Sequence, residues 1–531
     1  MKKRKNLLLM LALSLVLVLS ACSGKSSNTA EEAAPAKEGE KPKTEEPSTG
    51  SKDFVYVTGS DAPTLDPHGV NDTASNTATT QLYERLTDYA ADGSVVPLLA
   101  TEYKSVDDTT WEFKLREGVK FHDGSDFTAE AVKMSFERII DPEFASPKAV
   151  ILNMISEIKV IDDYTVQIIT EKPFAPLPAH LAHNAGSIIA PAAIKAENDG
   201  GKTIAENPIG TGPFKFESWN RGAELKFVKN DDYWGEKPSI ETVSIKVVPE
   251  QATRVAMIEK GEAHLMLVGA SDVSRVEAMD GITIDRVRGT RMDYVSFNLN
   301  KAPYDNVKVR QAIAMAINKD DVVNGILDGQ GVPAVGPLAP NVVGNSQDLK
   351  PLPYDVEAAK ALLAEAGYPD GFKTTIYVNE GSKERADIAE LVQAQLAELN
   401  IEVDIEVIEW GTFLEKTAAG EHELFVLGWT TVTGDADYGL YALFHSANHG
   451  SVGNRSFYTN PKVDELLDKG RTSTNQDDRN AAYKEISEIL VEEAPMVYLH
   501  HPDFVHATNG VESGLFVNFS GTPFFKDIKL K

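Results

Sequence analysis

Apolar and polar residues alternate with a period of two in three separate stretches. Trp111, Phe113 and Leu115 interleave with Glu112, Lys114 and Arg116; Val243, Ile245 and Val247 interleave with Thr242, Ser244 and Lys246; Ile401, Val403, Ile405 and Val407 stand against acidic neighbours. Each spacing predicts a half-buried strand, because successive strand side chains point to opposite faces. A helical period takes over between them. Val132, Phe136 and Ile139 fall on one face of a helix that Thr128 can cap. Asn460 and Pro461 open another, with Val463, Leu466 and Leu467 inward and Gly470 as its stop, and Asp355 and Gly367 bracket a third. Strands and helices mixed without a regular βαβ period predict α/β lobes rather than a barrel or one doubly wound sheet.

The amino-terminal region follows neither period. Lys2, Lys3, Arg4 and Lys5 precede an apolar run from Leu7 to Leu19, which ends in the small residues Ser20 and Ala21 and then Cys22. That is the grammar of a secretory leader, and the run is shorter than the roughly 20 residues that a membrane span needs. From Ser23 to Lys52 almost no large apolar residue occurs. Such a segment buries too little to offset its ordering entropy, so residues 22–51 are expected to be a disordered tether.

From Phe54 to Lys531 the chain is rich in apolar residues and too long for one ordinary core, which predicts two or three lobes. Lys and Arg number 52 against 80 Asp and Glu, a formal charge of −28. Nucleic acid is therefore not an expected partner, because phosphate binding needs basic surface. Cys22 is the only cysteine in 531 residues, so the folded body has no disulfide and no cysteine nucleophile or thiolate metal ligand. An enzyme reading lacks parts: there is no H-E-x-x-H, no G-x-S-x-G and no P-loop. His180 with His183, and His500 with His501, read as polar surface or hydrogen-bonded core groups. His445 and His449 have the i, i+4 spacing that could hold a metal on a helix, but no histidine-rich patch accompanies them, and no metal or cofactor is expected.

Leu19-Ser20-Ala21-Cys22 resembles the lipobox of bacterial lipoproteins. The resemblance implies cleavage after residue 21, diacylglycerol on the Cys22 thiol and a body tethered to the outer face of the cytoplasmic membrane. A second resemblance spans the rest of the chain. Pro208-Ile209-Gly210-Thr211-Gly212-Pro213-Phe214, then Asp231, Tyr233, Trp234, Ala252, Arg254, Gly261 and Glu262, look like the signature of the family 5 extracellular solute-binding proteins. Along the whole chain, TLDPH near the start, Leu98-Ala100, LREGVKFHDG, FNLNKAPYDNVKVRQAIAMAIN, YDVEAAKALLAEAGYPDG and Gly428-Trp429 agree as well, in the family's order. These are dipeptide, oligopeptide, nickel and glutathione receptors of ABC importers, not enzymes. The resemblance implies a two-lobe periplasmic-binding-protein type II fold with an extra subdomain inserted in the first lobe. Lobe I would be residues 52–88, 205–289 and 500–531, the inserted subdomain 89–204, and lobe II 290–499. The implied partners are a short peptide or peptide-like solute and the permease subunits, for a monomeric receptor; a nickel or haem receptor, or a purely structural surface lipoprotein, are the rival readings.

The same resemblance marks ligand-binding candidates. Trp429 follows the apolar run Leu424-Phe425-Val426-Leu427 and a glycine, and in the family this turn lines the cleft; an ordinary core tryptophan is the alternative. Relatives that bind peptides carry an aspartate about three residues later that pairs with the peptide's α-amino group. Here that position is Val432. Either Asp435 takes over the role, or the ligand is not an ordinary α-peptide; Thr430, Thr431 and Thr433 suit the glutathione-receptor style. Arg385 and Arg291 are candidates for a carboxylate clamp, since guanidinium bonds carboxylate bidentately, and equally for surface ion pairs. Ser75 and Asn76 could bond a ligand backbone or cap a helix. Arg310 and Gln311 read as structural.

Overall fold

The computed structural model describes residues 52–531 except Asn71 and Gly381. The leader, Cys22 and the tether expected up to residue 51 lie outside the described residues. All three alternating stretches are strands: Thr110–Leu115, Thr242–Val247 and Glu402–Ile408. Val132, Phe136 and Ile139 are fully buried on the helix Ala129–Ile140, each contributing about 1.5–3 kcal/mol of burial, although Thr128 makes no side-chain capping bond. Asp355 does cap Val356–Glu365, accepting from the Ala358 N–H, and Gly367 follows with φ of +97°, a left-handed conformation that glycine adopts freely. Gly470 is not a stop: the helix runs Pro461–Thr472. A Cβ on Gly470 would lie 2.6 Å from the Tyr483 ring, so the glycine is there for close helix packing.

Three sheets organise the body. A seven-stranded sheet carries Asp53–Thr58 at its centre, parallel to Thr242–Val247 and Leu265–Leu267, with Glu224–Lys229 and Phe214–Asn220 outside one neighbour and Asp503–Asn509 and Ile282–Arg288 outside the other. A six-stranded sheet runs Val332–Pro333, Met496–His501, Arg291–Phe297, Leu424–Thr430, Lys373–Asn379, Glu402–Ile408. A four-stranded antiparallel sheet comprises Ala100–Ser105, Thr110–Leu115, Thr165–Thr170 and Ile155–Asp162. The six-stranded sheet is covered on both faces, which explains the unbroken apolar run Leu424–Leu427. Phe425 and Leu427 join a core with Leu440 and Tyr483; Leu424 and Val426 join another with Ile313 and Val392.

The chain passes between the two larger sheets at two adjacent crossings. Ile282–Arg288 continues through Gly289 and Thr290 into Arg291–Phe297, and Met496–His501 continues through Pro502 into Asp503–Asn509. Arg288 and Asp503 face each other in the ladder and form an ion pair. On the other side of the crossings a β-bulge interrupts the pairing: Tyr294 lies opposite Tyr498 but Asp293 opposite His500. Leu499 is the extra residue, and the bulge sets His500 directly across from Asp293.

Candidate functional site

Leu424–Thr430 ends at the tryptophan turn. By strand alternation Trp429 follows Leu427 onto the face of the Tyr483 core, and its ring stacks on Tyr438 at 5.6 Å between centroids and 24°. Opposite stands the segment after the four-stranded sheet, where Phe174 and His180 meet edge to face at 4.9 Å. The two walls enclose a pocket of about 610 Å³, lined by Met154, Phe174, His180, Trp429, Tyr438 and Arg471 among others. Its walls touch, the Ala175 N–H donating to the Arg471 carbonyl at 2.9 Å. Two buried ring nitrogens of lining residues, Trp429 Nε1 and His180 Nε2, have no partner. Burial holds the His180 pKa below its usual value, so the ring is neutral at pH 7. Glu171, Lys172, Asp468 and Arg471 add charge to the aromatic and apolar lining, and a concave, partly apolar cavity with a few placed polar groups is the ordinary form of a small-molecule site.

The turn after Trp429 is fixed by buried ion pairs. Asp435 caps the helix Ala436–Phe444, accepting from the Asp437 N–H, and binds Arg479 at 2.6 Å. Asp437 holds Arg471 through two bonds of 2.9 Å. Asp435 is therefore not open to a ligand's ammonium: its carboxylate already has a buried cation. Thr431 is buried and exchanges backbone and side-chain bonds with Thr290 at the crossing, and Thr430 is half-buried opposite Arg291 in the ladder. Val432 lines a cavity of about 30 Å³ with Asn76, Asp88, Asn184 and Ser520. Asn76 accepts from buried Lys148 at 2.8 Å. Ser75 is buried and takes the Asp72 cap through its N–H, which is the local role for that residue.

Arg291 and Arg385 come together on the other face of the six-stranded sheet. Arg291 binds Asp293 at 2.5 Å, and both cover Gly428, where a Cβ would lie 2.5 Å from the Asp293 carboxylate. Arg385 lies in the helix Lys383–Leu396, capped by Ser382, and donates to Asn379 at 2.5 Å. Glu384 and His500 complete the group, His500 Nε2 being 3.6 Å from Asp293 and 3.8 Å from Glu384. Burial, then the Asp293 charge, raises the Glu384 pKa, while burial lowers that of His500.

Sequence reasoning pointed to Trp429, Arg291 and Arg385 but missed Tyr438, Phe174, Asp293 and Glu384, and it took His180 and His500 for satisfied groups. Only alternation could have found Asp293, two residues from Arg291 on the same strand face. The bulge that aligns His500 leaves no sequence mark. His445 and His449 do not share a helix: His445 ends Ala436–Phe444 and accepts from the Ala447 N–H, whereas His449 bonds the Tyr458 carbonyl. Arg310 is structural, donating to the carbonyls of Tyr304, Glu493 and Ala494.

Residues 94–451 match the family model of bacterial extracellular solute-binding proteins, family 5. The glutathione-binding protein of Pectobacterium atrosepticum is 34% identical over 480 residues, covering 89% of this chain and 93% of its own. Among solved structures, HbpA2 from Haemophilus parasuis superposes with a TM-score of 0.84 at 30% identity, over 90% of this chain and all of that one. The periplasmic binding protein DppA from Helicobacter pylori, in complex with the peptide STSA, gives 0.75 at 34% identity over 90% and 98%. The fold is that of the type II periplasmic binding proteins, and the chain belongs to the family 5 bacterial extracellular solute-binding proteins, a family of receptors rather than enzymes.

Proposed function

We propose that this chain is the solute receptor of an ABC importer, that it captures short peptides or peptide-like amides such as γ-glutamyl peptides, and that it hands them unchanged to a permease. The observation that carries the reading is the aromatic pocket of about 610 Å³ between Phe174–His180 and Trp429–Tyr441, with its two unpaired ring nitrogens. Relatives named for glutathione and for a bound peptide support the ligand class. Val432 in place of an acidic residue favours ligands without a free α-ammonium at that point. In this reading residues 52–88, 205–289 and 500–531 form one lobe carrying the inserted 89–204, and residues 290–499 form the other. The lobes close over solute about the crossings at Gly289–Thr290 and Pro502, and ligand favours the closed form by touching both walls. Cys22 carries the lipid anchor, which keeps a monomeric receptor at the outer face of the membrane. Among the described residues no helix is long and apolar enough to cross a membrane.

A thermal-shift panel of dipeptides, tripeptides, longer peptides, glutathione, nickel and haem tests the proposal. Binding at a hundredfold excess over Kd stabilises by about 2.7 kcal/mol. The expected result is a rise in Tm with a peptide or glutathione; a shift with nickel or haem alone overturns the peptide class. Loss of acyl labelling in Cys22→Ser tests the anchor.

A further inference from the structure

The group beside the crossings contains more unpaired ligand atoms than a structural ion pair needs. Asp293 and His500 are fully buried, with 0% side-chain exposure each. Asp293 Oδ1 receives Arg291, but Oδ2 makes no hydrogen bond, its nearest polar neighbour being His500 Nε2 at 3.6 Å, and neither ring nitrogen of His500 makes one. Leaving such atoms unpaired costs about 1–3 kcal/mol each, so the arrangement calls for something that binds both. One ligand atom each from Asp293, Glu384 and His500 lies within 4.8 Å of the others. The two histidine separations, 3.6 and 3.8 Å, are close to the roughly 3.4 Å between ligands of a tetrahedral ion with bonds of about 2.1 Å.

We propose that Asp293, Glu384 and His500 bind a divalent transition-metal ion, distinct from the transported solute, that joins the first strand after one crossing, the last strand before the other and the helix Lys383–Leu396. Donor type fits this class: mixed imidazole and carboxylate donors suit zinc, cobalt, nickel or manganese better than calcium, which takes 6–8 oxygens. Arg291 and Arg385 already balance the two carboxylates, so the selectivity rests on the donors and their spacing and not on net charge. A peptide ammonium fits less well, because Asp293 and His500 offer no surface to a water-sized group. The access route is Glu384, whose side chain is 41% exposed. Arg291 acts on the far oxygen of Asp293 and orients the carboxylate, as outer-shell partners of ligands do. Arg385 is turned to Asn379. The bulge at Leu499 is then a device that brings His500 onto the face of Asp293.

The test uses purified protein stripped with chelator and dialysed, without peptide, against zinc, cobalt, nickel or manganese, with bound metal counted by mass spectrometry. One ion per chain is expected. Cobalt should give visible d–d absorption that is lost in His500→Asn. Glu384→Gln, at a half-exposed position, should fold normally by circular dichroism and weaken binding by about 10- to 100-fold or more. No saturable binding, or equal binding by Glu384→Gln and wild type, overturns the site. Because peptide is absent throughout, neither result depends on what the receptor transports.

Discussion

At the residue scale, Asp435 and Val432 answer differently to substitution. Asp435 and Arg479 are both buried and bonded at 2.6 Å. Asp435→Asn leaves the guanidinium without its counter-charge, and breaking one partner of a buried pair costs about 3–5 kcal/mol. The urea midpoint should fall accordingly, whereas the ratio of affinities for one peptide in its free and N-acetylated forms should stay within about tenfold. Selective loss of the free-amine form, by titration calorimetry, sinks this assignment. Val432→Asp should raise affinity for free α-amines, by restoring a carboxylate at the position where peptide-binding relatives carry one, and lower the urea midpoint, because the side chain shares a cavity of only about 30 Å³ with Asp88. The Asp435 pairing was not legible in the sequence. Asp435 reads as a turn residue, and its cation lies 44 positions away on another helix.

At the element scale, Gly470 separates two effects that sequence rules confuse. In an exposed helix interior, glycine to alanine stabilises by about 1 kcal/mol. Here the added methyl meets the Tyr483 ring at 2.6 Å, and overpacking costs about 1–3 kcal/mol, so Gly470→Ala should destabilise. A higher unfolding midpoint in denaturant would show that the helices move apart without cost. The error over Gly470 and the success over Thr110–Leu115 have one cause. Strand alternation and caps such as Asp355 are local and survive in sequence, whereas the contact of Pro461–Thr472 with Gln476–Glu493 is set by packing between elements. The same limit hid the site: Trp429 announces itself by following an apolar strand, but Phe174 and His180, on the opposite wall, come from more than two hundred residues earlier.

For the whole molecule, burial of neutral histidine sets how stability responds to acid. Burial lowers His68 and His422 to about 3, and His122 and His506 to about 4. The ordinary value of about 6.5 applies when the chain is unfolded. Between those values the unfolded chain binds protons that the native state refuses, so native stability is full above about pH 6.5 and is lost as pH falls. Each such histidine contributes about 1 kcal/mol to the loss between pH 7 and 5.5. Glu84 opposes them: burial raises its pKa, so the native state takes up a proton there and gains stability as pH falls. His180, His183, His264, His500 and His501 are lowered in the same direction, so the histidines outnumber the opposing acids and leave a net loss of stability, and because they are spread from the seven-stranded sheet to the region beside Phe425, no single crossing or pocket accounts for it. Urea midpoints measured at intervals from pH 7.5 to 5.5 should therefore decline steadily. A flat or rising curve would mean that one or more of these rings is protonated in the folded protein, and imidazole NMR titration of His68 and His506 would identify which.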